Sequence, residues 1–336
     1  MNTVVKNTTA EEKIFTSSAA EFTSLALQTF RYQHQHNAVY RSYCDVLKID
    51  SSRIQTLTDI PFLPISFFKT HSVQVGNFVP EAIFESSGTT QTIPSRHTVK
   101  SLALYQRSFT EGFKHYYGNP ADYCILALLP SYLERQHSSL VLMADALIKQ
   151  SGHTHSGFYL NEWQQLKQVI TLLEQQQQKT LLIGVTFALL DFAALEAMPL
   201  QHTIVMETGG MKGRREEMTR QQVHEELIKA FQLPHIHSEY GMTELLSQAY
   251  SLGNGIFKPV PWMKVLIREE DDPFAIYQPG TQPVSNGAIN IIDLANLYSC
   301  SFIATEDAGR LYADGSFEVL GRLDNTDIRG CSLMAI

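Results

Sequence analysis

Apolar residues recur at helical spacing over residues 19–47, and strand character is weak until Ile60-Pro61-Phe62-Leu63-Pro64-Ile65, whose prolines favour an extended, packed segment. Beyond Thr90 the pattern alternates. Residues 124–129 form a short continuous apolar run that predicts a buried strand, 139–150 predict a helix, and 162–177 predict an amphipathic helix. Short apolar runs at 181–185 and 203–206 predict two further strands, and 216–231 predict a helix with glutamate at its beginning. Strand alternating with helix implies a layered α/β sheet. From about Pro259 the pattern turns to strands and hairpins, with 265–267, 288–292 and an Asp314-Gly315 turn between 309–312 and 317–320. The expected organisation is a helical N-terminal segment (1–80) packed on the body, an α/β subdomain (81–258), a β-rich subdomain (259–320), and a hinge remnant with a tail (321–336).

A length of 336 residues suits roughly two units of about 150 residues or one large α/β body. A formal charge of −8 argues against nucleic acid as the main partner, which calls for clustered Lys and Arg. Residues 1–15 lack the apolar core of a signal peptide, and no run of 18 apolar residues offers a membrane span, so a cytoplasmic protein is expected. Cys44, Cys124, Cys300 and Cys331 show no metal-ligand or disulfide spacing, and the first three read as small buried hydrophobes. The pairs His153/His155 and His235/His237 lack a third ligand.

Candidate chemistry lies in five segments. Glu85-Ser86-Ser87-Gly88-Thr89-Thr90 surrounds one glycine with hydroxyls after a short apolar run, so that backbone N–H groups and hydroxyls can ring phosphate oxygens. It is not a Walker loop, because no Gly-Lys-Ser/Thr closes it. Gly209-Gly210 follows a strand, where a flat ring or ribose can lie against bare backbone. His237-Ser238-Glu239-Tyr240-Gly241-Met242-Thr243-Glu244 brings together an aromatic ring, a hydroxyl and a carboxylate suited to a base and a magnesium ion. Thr305-Glu306-Asp307, after the strand-like 300–303, offers a carboxylate to ribose hydroxyls. Gly321-Arg322-Leu323-Asp324, followed by Arg329-Gly330, offers a guanidinium and a flexible turn. The basic cluster Lys212, Arg214 and Arg215 reads as a solvated helix entry. Glu134, Arg135 and His137 follow a strand at its carboxyl end, where α/β sheets place ligands.

This ordered set, spanning Ser86 to Asp324, resembles the adenylate-forming enzymes, and within them the LuxE-type acyl-protein synthetases. The segments pointing to the latter are Ile60-Pro61-Phe62-Leu63-Pro64-Ile65-Ser66-Phe67-Phe68-Lys69, Leu129-Pro130-Ser131-Tyr132-Leu133-Glu134-Arg135, Glu207-Thr208-Gly209-Gly210-Met211-Lys212-Gly213 and the terminal Arg329-Gly330-Cys331. The resemblance implies ATP and Mg2+ as cofactors. It assigns Ser86, Ser87, Gly88, Thr89, Thr90, Gly209, Gly210, Tyr240, Gly241, Met242, Thr243, Asp307 and Arg322 to the nucleotide and Glu244 to the metal. Two positions depart from the superfamily pattern: Gln91 stands where the phosphate loop usually has glycine, and Thr305-Glu306-Asp307 keeps the carboxylate but not the glycine of a TGD segment.

The chain stops some fifteen residues after Gly321, so the small mobile C-terminal domain of larger relatives is expected to be largely absent. The expected reaction is ATP-dependent activation of a fatty or other carboxylic acid to an acyl-adenylate. Self-acylation of Cys331, beside Arg329, and acyl transfer to a fatty acid or acyl-CoA reductase follow. Cys331 and Arg322 are the catalytic candidates, and a guanidinium near the thiol favours the thiolate. A free-standing acid:CoA ligase and a non-catalytic adenylate-binding scaffold are the alternatives.

Overall fold

A computed structural model describes residues 10–86, 93–129, 137–160, 162–209 and 218–323. Three helices open the chain: α1 (Ala10–Thr16), α2 (Phe22–His36) and α3 (Ala38–Val46). Phe22, Ala26, Phe30 and Gln33 recur along one face of α2 and are buried. Asn37 both stops α2 and starts α3. Its extended backbone breaks the first helix, while its side-chain oxygen accepts the N–H of Tyr40 at 3.0 Å as an N-cap. Gln33, fully buried, accounts for its polarity by donating to the carbonyls of Asn296 and Leu297 and accepting from the N–H of Ser301. The N-terminal helices are thereby tied to a turn more than 250 residues away.

After the two-residue strand β1 (Leu63–Pro64) and the single turn α4 (Phe67–Thr70), a hairpin forms from β2 (Ala82–Glu85) and β3 (Arg96–Val99). An α/β succession follows: α5 (Leu102–Tyr117), β4 (Cys124–Leu128), α6 (Ser139–Ser151), β5 (Gly157–Phe158), α7 (Trp163–Gln175), β6 (Thr180–Val185), α8 (Thr186–Leu195), β7 (Thr203–Thr208), α9 (Arg220–Phe231) and β8 (His237–Tyr240). β5, β4, β6, β7 and β8 lie parallel in that spatial order, and β9 (Ala249–Ser251) and β10 (Lys258–Pro259) extend the sheet antiparallel. β4 and β6 are buried along their whole length, as expected of strands covered on both faces. A second, largely antiparallel sheet contains β11 (Met263–Arg268), β12 (Ile276–Tyr277), β13 (Val284–Asp293), β14 (Phe302–Tyr312) and β15 (Phe317–Arg322), with β1 added in parallel at the free side of β14. The fold class is the expected layered α/β architecture.

Four details differ from the sequence expectation. The helix expected over 216–231 begins at Arg220, because Thr219 caps it and Gln222 closes a reciprocal capping box; Glu216 and Glu217 lie outside the described residues. Thr305-Glu306-Asp307 lies inside β14 rather than after a strand, and Cys300 precedes that strand. Helix α8 carries no polar stripe to betray it: Ala188, Leu189, Leu190, Phe192 and Ala193 are buried, and its outward positions Phe187, Ala194 and Leu195 are apolar too. Helix α5 is a further addition to the expected elements; Ser101 caps it and its buried face includes Tyr105, Phe109 and Phe113. Cys44, Cys124 and Cys300 are buried, as the sequence suggests.

The N-terminal helices and the second sheet meet on Phe302. Its ring stacks with Tyr40 at 6.0 Å between centroids and takes edge contacts from Phe30 and Phe62, each at 6.3 Å. Phe302→Ala should therefore cost about 3–5 kcal/mol, seen as a lower urea midpoint at unchanged slope. A loss below about 1 kcal/mol would show that this junction does not carry the packing.

Candidate functional site

The candidate site lies where the carboxyl end of the parallel sheet meets β14 and β15. Tyr240 ends β8 and its ring is 8% exposed, enclosed by Phe257 and Phe317. Its hydroxyl donates to Oδ2 of Asp307 on β14 at 2.7 Å, a bond that crosses from one sheet to the other. Asp307 faces Arg322 of β15 in strand register, but the Arg322 guanidinium pairs with the neighbouring Glu306 at 2.8 Å. Burial pushes the Asp307 carboxyl above the usual range, while Tyr240 and the Arg322 and Arg220 guanidiniums oppose the shift. Burial, and then the Asp307 charge, push the Tyr240 phenol far up, so it stays a proton donor.

Glu244 closes the turn after Tyr240. It is 5% exposed, and burial raises its carboxyl, opposed first by a hydrogen bond from the Ser95 side chain and more weakly by the charges of Arg322 and Lys69. Ser95 begins the return half of the hairpin loop. Its N–H donates to Oγ of Ser86 at 2.9 Å and its carbonyl accepts the N–H of Ser86 at 3.0 Å. The turn is fixed from below by Asp293, whose Oδ2 accepts the N–H groups of Leu246 and Ser247 and whose Oδ1 accepts the Ser247 hydroxyl at 2.6 Å. A Cβ on Gly241 would run into Oε1 of Glu239, so a larger residue in that turn requires the Glu239 carboxyl to move. Met242 and Thr243 continue the turn, half-buried.

Gly209 follows β7 with φ +72°, a conformation that glycine adopts without strain. Its carbonyl accepts the Thr186 hydroxyl at 2.9 Å, and Thr186 also donates to Glu207. Burial works against Glu207, yet its carboxyl is held below the usual range by the His224 ring and by the Arg220 guanidinium, whose Nε lies at 3.0 Å. Arg220 also donates to the carbonyl of Val319 in β15 at 3.1 Å and lies over the Phe257 ring, so it is a second strut between the sheets. His137 touches the hairpin through the carbonyl of Ile83 at 3.3 Å.

Ser86, Gly209, Tyr240, Gly241, Met242, Thr243, Glu244, Asp307 and Arg322 are thus placed on the hairpin, the ends of β7 and β8, the following turn, and the edge of the second sheet. Direct bonds join Tyr240 to Asp307 and Ser86 to Ser95, and the Ser95 side chain lies beside Glu244, whose carboxyl it lowers. Ser87, Gly88, Thr89, Thr90, Gln91, Gly210, Lys212, Arg214, Arg215, Glu134, Arg135, Asp324, Arg329 and Cys331 lie outside the described residues. Among the described residues no group of three His, Cys, Asp or Glu side chains is arranged to hold a metal ion without other ligands. No helix among them is long and apolar enough to cross a membrane. A surface groove of about 380 Å³ lined by Ala38, Val39, Tyr43, Val46, Phe67 and His71 belongs to the N-terminal helices and involves none of the site residues.

The acyl-protein synthetase LuxE family model matches residues 12–335, nearly the whole chain. The chain belongs to the LuxE family. A long-chain-fatty-acid–luciferin-component ligase of Photorhabdus luminescens is 39% identical over 66 residues, which are 19% of this chain and 56% of that relative's length. Among solved structures, the ATP-bound RpMatB-BxBclM chimera B1 is similar with a TM-score of 0.52 at 16% identity, covering 72% of this chain and 47% of the other. McyG A-PCP in complex with phenylalanyl-adenylate is similar with a TM-score of 0.51 at 16% identity, covering 75% of this chain and 49% of the other. The chain therefore spans about half the length of these structures, and the LuxE chain shares the adenylate-forming fold with them.

Several residues that hold the site were not singled out from the sequence. Arg220 is the first residue of α9, and helical periodicity alone does not mark it as a strut. His97 lies in an unremarkable short strand with Ser95 just before it, and Glu239 sits beside the more conspicuous Tyr240. Glu239 accepts the Thr208 hydroxyl at 2.5 Å, and burial raises its carboxyl to about 7. Because the folded state holds that proton more tightly than the unfolded chain, its contribution is full below the ordinary value of 4.5 and is lost as pH rises through about 7. Glu239→Gln keeps an acceptor for Thr208 and stays neutral, so the variant should gain on the wild type by up to ~3 kcal/mol between these limits. His97 and His237, both pushed down to about 4 by burial, act in the opposite direction, removing stability as pH falls below 6.5; they cancel in the comparison. Unfolding curves that keep a constant separation across that range would contradict the assignment.

Proposed function

We propose that this LuxE-family chain activates a fatty or other carboxylic acid with ATP, receives the acyl group on Cys331, and passes it to a fatty acid reductase. The observation supporting this reading is the convergence of the hairpin base, the Tyr240–Glu244 turn and Asp307 across the seam of two sheets. ATP would be held with its phosphates toward Ser86 and the segment 87–90, its base toward Gly209 and Tyr240, and its ribose toward Asp307 and Arg322. Magnesium bound beside Glu244 would offset phosphate charge; the buried, raised carboxyl of Glu244 suits it, because a nearby cation favours the ionised form.

In the first step the carboxylate oxygen attacks the α-phosphorus and the bond to pyrophosphate breaks. Catalysis is mainly positioning and neutralisation of charge. In the second step the Cys331 thiolate, its proton released to solvent, attacks the acyl carbon, forming a thioester and expelling AMP. Arg322 is 69% exposed at its side chain, and Glu306 holds it at the rim where it can meet phosphate or carboxylate.

Incubation with ATP, magnesium and labelled fatty acid should leave hydroxylamine-labile label on the protein, and Cys331→Ser should abolish that label while pyrophosphate exchange persists. Label retained in the variant would remove the internal thiol step. Acyl-CoA formed rapidly without a partner protein would favour an acid:CoA ligase, and nucleotide binding without exchange would favour a scaffold. Asp307→Ala should weaken ATP binding by about 10- to 100-fold, the range expected for hydrogen bonds to a charged group, with the KM for the acid nearly unchanged.

A further inference from the structure

The Tyr240–Glu244 turn is gripped from two sides, and one of the grips has no part in the scheme above. Below it, the side-chain amide of Asn296 donates to the carbonyl of Glu244 at 2.7 Å. Above it, Nδ1 of His97 lies 2.8 Å from the carbonyl oxygen of Thr243. A carbonyl only accepts, so Nδ1 carries the proton and donates it. The peptide planes before and after Glu244 are therefore each fixed by a buried side chain. His97 is 1% exposed, its ring edge-on to Phe68 at 5.7 Å, and its Nε2 has no partner among the described residues. A side chain this enclosed, leaving one nitrogen unbonded, keeps its place at a cost that a phenylalanine or leucine would avoid.

The position of His97 gives that cost a purpose. It sits on β3 two residues after Ser95, the residue that closes the hairpin on Ser86 and whose side chain lowers the neighbouring Glu244 carboxyl. The hairpin thus presents Ser95, just before β3, to the Glu244 carboxyl and His97, on β3, to the adjoining backbone. We propose that His97 is a positioning residue that sets the orientation of Glu244 relative to the Ser86–Ser95 hairpin, and so tunes the binding of magnesium-ATP. The inference rests on the nucleotide reading of this site given above. It adds that the carboxylate and the hairpin are aligned as one unit through the Thr243 carbonyl.

The test compares His97→Asn, whose amide nitrogen falls near the place of Nδ1, with His97→Gln, whose amide reaches toward Nε2 instead. Magnesium-ATP is titrated into the full chain without acid, and pyrophosphate exchange is then measured with a fatty acid. The Gln variant should raise the Kd and KM for magnesium-ATP about tenfold, the loss expected for one hydrogen bond, while the KM for the acid changes less than twofold. The Asn variant should recover most of that loss. If the Gln variant fails to fold, His97→Phe, which keeps the ring volume against Phe68 without a donor, replaces it in the comparison. Equal affinities in Asn and Gln variants, or equal losses for nucleotide and acid, overturn the inference. A wild type that binds magnesium-ATP with this ordering of variants but exchanges no pyrophosphate overturns the adenylation reading and leaves His97 in its role. A wild type that binds no magnesium-ATP overturns both.

Discussion

The hydrogen bond from Tyr240 to Asp307 is the constraint on which the arrangement of the site depends. The two sheets differ in strand direction and are built from separate stretches of chain, so their relative placement must be fixed by contacts at the seam. Tyr240 supplies one at the end of β8, and its ring fills the space between Phe257 and Phe317, which stack on each other at 5.5 Å. Phe257 and Phe317 also exchange backbone hydrogen bonds, which brings the β14–β15 hairpin against the chain leaving the first sheet. Arg220 braces the same seam from α9. An apolar lining excludes water here, which strengthens each polar contact and makes each unmatched group costly.

The polar groups near the seam are arranged by that cost. Glu207 is met by Thr186, Arg220 and His224 and its carboxyl is held below the usual range, whereas Glu239 on the neighbouring strand has the Thr208 hydroxyl and holds its proton to about 7. Asp293 satisfies its oxygens with the N–H groups of Leu246, Ser247 and Ala295 and the Ser247 hydroxyl, and through them it fixes the floor of the turn. These groups do not meet a ligand in the proposed scheme. They make the turn rigid so that Glu244 and Thr243 face the hairpin with little freedom, which is what a site that acts by positioning requires.

The architecture was legible where burial is one-sided or complete over a short run. Strands β4, β6 and β7 stood out as apolar bursts, and the Asp314-Gly315 turn identified the final hairpin. Helix α8 was not legible, because its outward stripe carries Phe187, Ala194 and Leu195 beside the single polar residue Asp191, so the periodicity that would reveal it is lost. The start of α9 is set by the Thr219–Gln222 capping box, which apolar periodicity does not locate. At the site, Tyr240, Glu244, Asp307 and Arg322 were legible because each belongs to a segment of distinctive chemistry. His97, Ser95 and Arg220 were not, because their roles arise from contacts between segments 99 to 149 residues apart in the chain. Periodicity and local motifs carry no record of such pairings.

The most direct measurement of the seam is a double-mutant cycle in unfolding free energy using Tyr240→Phe and Asp307→Asn. The account predicts that the two changes are coupled by about 1.5–3 kcal/mol, the range for a hydrogen bond to a charged group. Additivity to within about 0.5 kcal/mol would contradict it, because the two sheets would then be held in register by something other than this bond.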